Sequence, residues 1–224
     1  LSTYQEKSIL TPNFDSHLPS VTDFGLSDVL KAYLAGREGL GRIYEIIGMD
    51  MAYHNPYNLV TFIDNHDVER GLFTAKEDIA KLKIAYQVLL TTRGIPQILY
   101  ASEIAAVGGH EHGEIRTDFP GGFPGDTRNA FTKEGRTEKE NDFYNFLKKI
   151  LQIRKENKVI SDGKLIHFPV QDNIYIYFRV LNNEKVMVVV NDNDKDKTVS
   201  LAPVKSMLEK VYSLKDLKSG EEIK

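Results

Sequence analysis

A short apolar run that ends in four polar residues is the strongest chemical signal in the sequence. Leu59 to Ile63 is rich in β-branched and aromatic residues, which predicts a strand. It runs directly into Asp-Asn-His-Asp at 64–67. In an α/β barrel the functional side chains lie where strands end and loops begin, so these residues are a candidate site. A simpler alternative is that Asp64 or Asp67 caps a turn and that His66 is an ordinary surface residue.

Strands and helices alternate around this segment. Val21 to Phe24 predicts a strand before it, followed by a helix with Ser27 as N-cap, and Ile95 to Tyr100 predicts a strand after it. Capping-box spacing at 74–77 and again at 137–140 predicts two further helix starts. Alternation of this kind is typical of a parallel α/β sheet or barrel.

The sequence changes character near residue 159. Short alternating apolar runs separated by turn residues follow, and they predict a small antiparallel β domain. These runs are Leu165–Val170, Ile174–Val180, Val186–Val190, Thr198–Leu201 and Leu208–Tyr212. We therefore divide the chain into an α/β part at 1–158 and an antiparallel β domain at 159–224. Within the first part, the Gly-rich and charged segment 107–128 has the length and irregularity of a functional loop.

The composition excludes several kinds of site. Across 224 residues the formal net charge is -3, which predicts no basic surface for nucleic acid. The absence of cysteine excludes disulfides, thiolate metal sites and cysteine nucleophiles, and no apolar run reaches the roughly 18 residues of a transmembrane helix. The absence of Trp is a mild argument against a dedicated sugar-binding module. The chain starts at Leu1 without an initiator Met or a signal pattern, so we expect it to begin inside a longer protein.

Four features, taken in order, resemble the α-amylase family. Thr61 to Asp67 resembles its fourth conserved motif, whose core is Asn-His-Asp at the end of the seventh barrel strand. Val21 to Phe24 resembles the sixth strand, and Gly94 to Glu103 resembles the eighth. The segment 116–126 resembles a loop of the neopullulanase and cyclomaltodextrinase branch. Because the terminal β domain also fits the family's appended antiparallel domain, the chain is similar to the C-terminal part of such an enzyme.

The resemblance implies a definite α/β fold. Strands 6–8 of a (β/α)8 TIM barrel would occupy 1–158, and a small antiparallel β-sandwich domain would occupy 159–224. A closed barrel needs eight strands, and an incomplete one leaves open sheet edges that promote association. We therefore expect a fragment or one piece of a nicked enzyme, in which a homodimer could cover the open edge.

The resemblance also implies a chemistry. The family cleaves α-glucosidic bonds with retention, using a nucleophilic carboxylate and a carboxylic acid about 5–5.5 Å apart. By match, Asp67 is a third carboxylate that stabilises the transition state, His66 donates a hydrogen bond to the same sugar, and Arg116 contacts the glucan on the non-reducing side. Asp64 is expected to orient the turn, and Arg70 is expected to be a solvated surface residue.

Several positions depart from the family pattern. The motifs of the nucleophile and the acid, which lie on the fourth and fifth strands, are absent from this sequence, and Glu103 and Glu114 match neither role. We therefore expect this chain alone to be inactive. His112 stands where the family has an Asp four residues before the matched Arg. Phe123 stands where relatives often have Trp, and its ring could stack on a sugar or pack within the core or the loop.

The expected function is that of the C-terminal portion of a retaining hydrolase of α-1,4- or α-1,6-glucosidic bonds in starch-type saccharides. The alternatives are a non-catalytic carbohydrate-binding or interaction module, and a transglycosylating enzyme that uses the same carboxylates. No cofactor is expected, although an intact parent could hold structural calcium; the acidic turn at 192–196 resembles solvated surface rather than a calcium cage. The expected partners are α-glucan oligosaccharides, not nucleic acid or a membrane, and the expected location is periplasmic or secreted.

Overall fold

A computed structural model of the chain describes residues 5–8, 10, 12–209, 211 and 213–223. The α-helices are α1 (Phe24–Leu34), α2 (Leu40–Gly48), α3 (Gly71–Thr74), α4 (Ile79–Thr91), α5 (His112–Ile115), α6 (Glu138–Glu156), α7 (Lys158–Asp162) and α8 (Lys205–Leu208). The strands are β1 (Val60–Thr61), β2 (Ile95–Pro96), β3 (Lys164–His167), β4 (Ile174–Leu181), β5 (Glu184–Asn191), β6 (Leu214–Lys215) and β7 (Glu222–Ile223). In this part of the chain, no helix combines the length and apolarity needed to cross a membrane.

The first part of the chain contains a short parallel ladder. β1 pairs with β2 in parallel, with Val60 opposite Ile95, and an isolated parallel bridge joins Thr22 to Val60. The strands predicted around 59–63 and 95–100 are therefore present but short. β1 therefore lies between the segment at Thr22 and β2, in the same order as the three segments follow along the chain.

The strand predicted at 21–24 is wrong beyond the single bridge at Thr22. α1 begins at Phe24, and the Asp23 carboxylate caps it by accepting a hydrogen bond from the Leu26 amide at 3.0 Å. The predicted N-cap, Ser27, is instead a buried residue inside the helix. Asp is as good an N-cap as Ser, and its earlier position sets the helix start.

The two predicted capping boxes have different outcomes. At the start of α6, the Glu140 amide donates to the Thr137 hydroxyl at 3.2 Å and the Thr137 amide donates to the Glu140 carboxylate at 2.7 Å, so that capping box is confirmed. The box at 74–77 is wrong, because Asp78 caps α4 through the Lys81 amide at 3.0 Å. The backbone at 76–77 has φ angles of 52° and 65°, which end α3 before α4 begins.

The last part of the chain contains an antiparallel sheet in the order β3-β4-β5, with a separate β6-β7 pair. Antiparallel sheets are consistent with the expected β domain. The strand predicted at 198–201 is wrong, since these residues have no regular structure. Of the strand predicted at 208–212, Leu208 ends α8, while Lys210 and Tyr212 lie outside the described residues.

Strand β4 is buried on both of its faces because two layers cover it. Tyr175 and Tyr177 join the main hydrophobic cluster with α1, α2, α4 and α6. Ile176 and Phe178, on the opposite face, pack with Val204 in a second cluster. Successive side chains of a strand point to opposite faces, so one strand links the helical layer to the last part of the chain.

Gly94 sets the entry of the chain into β2. Its φ angle is +95°, a region that favours glycine. A Cβ atom added here would lie 2.6 Å from Thr61 Cγ2 and 2.8 Å from the Leu59 carbonyl oxygen. Glycine is therefore needed both for the backbone conformation and for the close approach of β2 to β1.

We predict that Gly94→Ala lowers the free energy of unfolding by about 2–4 kcal/mol, because it adds strain and a clash at the parallel ladder. Gly41→Ala is the matched control: it lies in α2, and an added Cβ would meet nothing within 4 Å. There the same change should stabilise by about 0.5 kcal/mol through helix propensity. Urea unfolding measures both, and equal effects at the two positions would refute the assignment.

Candidate functional site

The turn after β1 directs its two carboxylates to different sides. The Asn65 side-chain oxygen accepts a hydrogen bond from the Asp67 amide at 2.8 Å, which fixes the turn. Asp64 is buried, with a relative exposure of 3%. The side chains of His66 and Asp67 are 66% and 58% exposed. One carboxylate of the tetrapeptide is therefore part of the interior, and the other faces solvent.

Arg116 contacts both of the other residues that the resemblance had singled out, His66 and Asp67. Its Nη2 atom donates to Asp67 Oδ1 at 2.9 Å, and its Nε atom donates to the His66 carbonyl oxygen at 2.9 Å. The His66 Nε2 atom lies 3.1 Å from Asp67 Oδ2. The structure thus brings Asp67, His66 and Arg116 together at the carboxyl end of β1, in what we call the Asp67 cluster.

His112 is a fourth member of the Asp67 cluster. It begins α5, one helical turn before Arg116, and its Nδ1 atom lies 3.3 Å from Arg116 Nη2. The sequence marked this residue only as a departure from the family pattern. The i, i+4 spacing of His112 and Arg116 on a short helix was the signal that could have predicted the contact.

Arg70 is fully buried beneath the cluster, so its expected place on the solvated surface is wrong. Its Nε atom donates to the Ile115 carbonyl at 3.0 Å, and its Nη1 atom donates to the Tyr100 carbonyl at 2.6 Å and to Ser102 Oγ at 3.2 Å. These groups end α5 and follow β2. These oxygens compensate for part of the lost hydration of the guanidinium, while Arg70 Nη2 is buried without a hydrogen-bond partner among the described residues. Through its bonded atoms Arg70 holds the turn, the end of β2 and the long loop together.

Asp64 orients the turn from inside, as expected. Its Oδ2 atom accepts a hydrogen bond from the Gly71 amide at 2.8 Å, and its Oδ1 atom accepts one from Ser102 Oγ at 2.9 Å. Burial raises the pKa of Asp64 above its usual range, and the bonds from Gly71 and Ser102 and the charge of Arg70 act in the opposite direction. Asp64 is therefore a structural group rather than a ligand-binding one.

The other acidic and aromatic candidates lie apart from these contacts. The Glu114 carboxylate accepts a hydrogen bond from the Gly109 amide at 3.1 Å and so stabilises the long loop. Glu103 is half-buried in a 3-10 turn that follows β2. Phe123 is 58% exposed and its amide donates to the Asp126 carboxylate at 3.1 Å, so its ring is not part of the core. Among the described residues, no three His, Asp or Glu side chains are grouped to hold a metal ion.

The fold and the cluster define a class of protein: an α/β protein with a polar site at the carboxyl end of a parallel strand, joined to an antiparallel β domain. Residues 165–224 match the family described as the cyclo-malto-dextrinase C-terminal domain. The chain is 29% identical over 171 residues to a cyclomaltodextrinase of Thermoanaerobacter pseudethanolicus, covering 75% of this chain and 27% of that protein. It is 29% identical over 203 residues to alpha-amylase 3 of Dictyoglomus thermophilum, covering 81% of this chain and 40% of that protein.

Solved structures agree with these relatives. An alpha-amylase from Geobacillus thermoleovorans, complexed with acarbose, superimposes with a TM-score of 0.62 at 27% identity and covers 77% of this chain and 36% of its own. An Anoxybacillus alpha-amylase shares the fold with a TM-score of 0.75 at 23% identity over 92% of this chain and 43% of its own. The resemblance to the C-terminal part of α-amylase family proteins is thereby confirmed. The chain spans well under half the length of these curated relatives.

We predict that the raised pKa of Asp64 makes stability depend on pH in one direction. The folded state binds the Asp64 proton more tightly than the unfolded chain does. Its contribution to stability is therefore fully present below about pH 3.9, the value of an unfolded Asp, and is lost as pH rises through the folded-state pKa. The free energy of unfolding of the wild type minus that of Asp64→Asn should fall as pH rises from about 4.

Urea unfolding at a series of pH values measures this difference. The control is Asp28→Asn, which changes an exposed carboxylate on α1, and it should not reproduce the slope of Asp64→Asn. A difference for Asp64→Asn that rises with pH would mean that the hydrogen bonds of Gly71 and Ser102 outweigh burial.

Proposed function

We propose that this chain is the strand 6–8 portion of a (β/α)8 barrel followed by a β domain at 159–224, and that it serves a retaining α-glucan hydrolase. The substrates would be α-1,4- or α-1,6-glucosidic bonds of starch-type saccharides. Three parallel segments in chain order, at Thr22, β1 and β2, support the strand assignment. The names of the relatives, a cyclomaltodextrinase and an alpha-amylase, support the substrate class.

The observation that carries the proposal is the meeting of Asp67, His66 and Arg116 at the carboxyl end of β1. Asp67 Oδ1 accepts one hydrogen bond from Arg116, and both carboxylate oxygens keep lone pairs for sugar hydroxyls. In a retaining glycosidase such bonds strengthen as the sugar ring approaches the oxocarbenium-like transition state. His66 and Arg116 would donate to the same sugar, so the cluster would grip the glucan beside the bond to be cleaved.

Cleavage of the glucosidic bond needs two further carboxylates, and the sequence does not contain the motifs that carry them. A retaining mechanism uses a nucleophile and an acid about 5–5.5 Å apart. Glu114 is engaged with the Gly109 amide, and Asp64 is buried. We propose that the chain alone binds α-glucans without cleaving them.

A second candidate function is transfer of the cleaved glucan to another sugar. This chain is 26% identical over 183 residues to a cyclomaltodextrin glucanotransferase of a Bacillus strain. The matched region covers 81% of this chain and 24% of that protein. Transfer and hydrolysis differ in the acceptor rather than in the carboxylates. Asp67 would have the same task in both reactions.

We predict that Asp67→Asn weakens binding of maltotetraose at least tenfold, because a charged acceptor of hydrogen bonds is worth roughly 1.5–3 kcal/mol. Isothermal titration calorimetry measures the affinity. Asp28→Asn, on the exposed side of α1, is the matched control and should bind as the wild type does. Maltotetraose binding that survives Asp67→Asn would favour a separate carbohydrate-binding surface instead.

An activity assay completes this test. At high protein concentration the chain should release no reducing sugar from soluble starch, pullulan or cyclodextrin. Turnover that disappears in Asp67→Asn would show that a second copy of the chain, or a carboxylate such as Glu103, supplies the missing groups. The proposal of an inactive chain would then be wrong.

We also propose that the chain forms a homodimer through the open edge of β2. The Ile95 and Gln97 amides face β1, donating to the Leu59 and Thr61 carbonyls at 2.8 and 2.7 Å. In the described part of the chain, no strand pairs with the other edge of β2, and Ile95 is 51% exposed. Pro96 faces that edge and has no N–H to donate, so the contact would rest on the exposed apolar side chain of Ile95, since exposed apolar surface favours association.

Size-exclusion chromatography with light scattering should therefore give a dimer mass at high micromolar concentration. Ile95→Glu should shift the mass to that of a monomer. Leu151→Glu, a change at a 38% exposed position on α6, is the matched control and should leave the dimer intact. A monomer in the wild type would refute the dimer.

A further inference from the structure

His112 differs from the other described histidines in the partner of its ring. Four of them have a ring nitrogen within 4.0 Å of a carboxylate, and a fifth contacts a tyrosine hydroxyl. These pairs are His17–Asp15, His54–Glu6, His66–Asp67, His110–Glu69 and His167–Tyr175. The His112 ring instead faces the Arg116 guanidinium at 3.3 Å. A histidine beside a cation has the opposite electrostatic preference from a histidine beside a carboxylate.

The contact between His112 and Arg116 fixes the state of the imidazole. A guanidinium has five N–H donors and no acceptor. His112 Nδ1 must therefore accept the hydrogen bond, which makes the ring neutral with its proton on Nε2. The same Arg116 Nη2 atom also donates to Asp67 Oδ1, so His112 and Asp67 hold one nitrogen from two sides.

We propose that His112 is a positioning residue that holds Arg116 over Asp67 only while its imidazole is neutral. This inference rests on the proposed function, because Arg116 and Asp67 must face the same sugar for the cluster to grip it. The site would then bind α-glucans well at neutral and alkaline pH and more weakly in acid.

Protonation of His112 would act on the cluster in two ways. It would remove the lone pair that Nδ1 offers to Arg116, and it would place a second positive charge beside the guanidinium. Two unit charges about 4 Å apart in water repel by an energy that corresponds to about a fivefold change in an equilibrium constant. A ligand that needs the assembled cluster must bind more weakly to the protonated form, by up to the same factor.

Other charged groups near the cluster have different effects. His66 faces Asp67 at 3.1 Å, so its protonation adds an attraction and does not loosen the carboxylate. Glu114 is turned toward the Gly109 amide, and Glu111 is an exposed residue that precedes α5. Because the cluster contains a second histidine, a pH profile of the wild type alone would not identify the group, and a variant of His112 is needed.

The decisive variant is His112→Asn, which keeps an acceptor at the Nδ1 position but cannot gain a proton. The matched control is His110→Asn on the same loop, because the His110 ring contacts Glu69 at 2.5 Å rather than Arg116. The first measurement follows the NMR signal of the Arg116 Nε–H group, which donates to the His66 carbonyl, between pH 8 and pH 5.5. In the wild type and in His110→Asn it should move in acid toward the shift of a solvated guanidinium, and in His112→Asn it should stay in place.

The second measurement is the affinity for maltotetraose at the two pH values. The wild type and His110→Asn should bind more weakly at pH 5.5, by up to about fivefold, and His112→Asn should change by less than twofold. Equal responses of the wild type and His112→Asn, or no response of the Arg116 signal in the wild type, would overturn the inference. If the wild type binds no maltotetraose at either pH, the proposed function fails, while the Arg116 signal still decides the role of His112.

Discussion

Two arginines from other elements bind the backbone carbonyls at the C-terminal end of α4, and the position of the candidate site depends on these bonds. Arg179, on β4, is fully buried and donates to the backbone carbonyls of Thr91, Thr92, Ser161 and Gly163. Arg154, on α6, donates to the Leu90 carbonyl at 2.8 Å and to the Gly94 carbonyl at 3.3 Å. The last carbonyls of a helix have no partners within it and carry partial negative charge. Burial lowers the pKa of Arg179 to about 10, so it is still charged at neutral pH.

The position of the Asp67 cluster depends on Arg154 and Arg179. β2 begins directly after the carbonyls that Arg154 and Arg179 bind, it aligns β1, and the turn after β1 carries the Asp67 cluster. Arg70 then ties that turn to the residues after β2. Buried guanidiniums with several acceptors are costly to disrupt, whereas exposed ion pairs such as Arg116–Asp67 contribute at most about 1 kcal/mol. The contacts that position the turn are therefore costly to break, whereas the exposed contacts of the Asp67 cluster add little to stability.

Most of the correct predictions depend on neighbouring residues, although the local signals at Ser27 and at 74–77 were wrong, and the contacts that were missed depend on distant residues. The β-branched run before 64–67, the α6 capping box and the antiparallel texture after 159 are local patterns, and the matching elements formed. Arg70 was expected on the surface because an arginine is rarely buried without partners. Its acceptors come from segments 30 to 45 residues away. No pattern among the residues near Arg70 predicts these acceptors. The same holds for 198–201, where an alternating run found no strand to pair with.

The division of work between Asp64 and Asp67 follows from what surrounds each carboxylate. The partners of Asp64 are a backbone amide and a buried hydroxyl, which belong to the fold and cannot be exchanged for a ligand. The partners of Asp67 are the exposed side chains of Arg116 and His66, whose bonds solvent already weakens. The proposed sugar hydroxyl would therefore share or replace the contacts of Asp67 at little cost. Two identical side chains three residues apart thus differ in their surroundings: Asp64 shapes the turn from inside, and Asp67 is exposed to solvent, as the proposed glucan site requires.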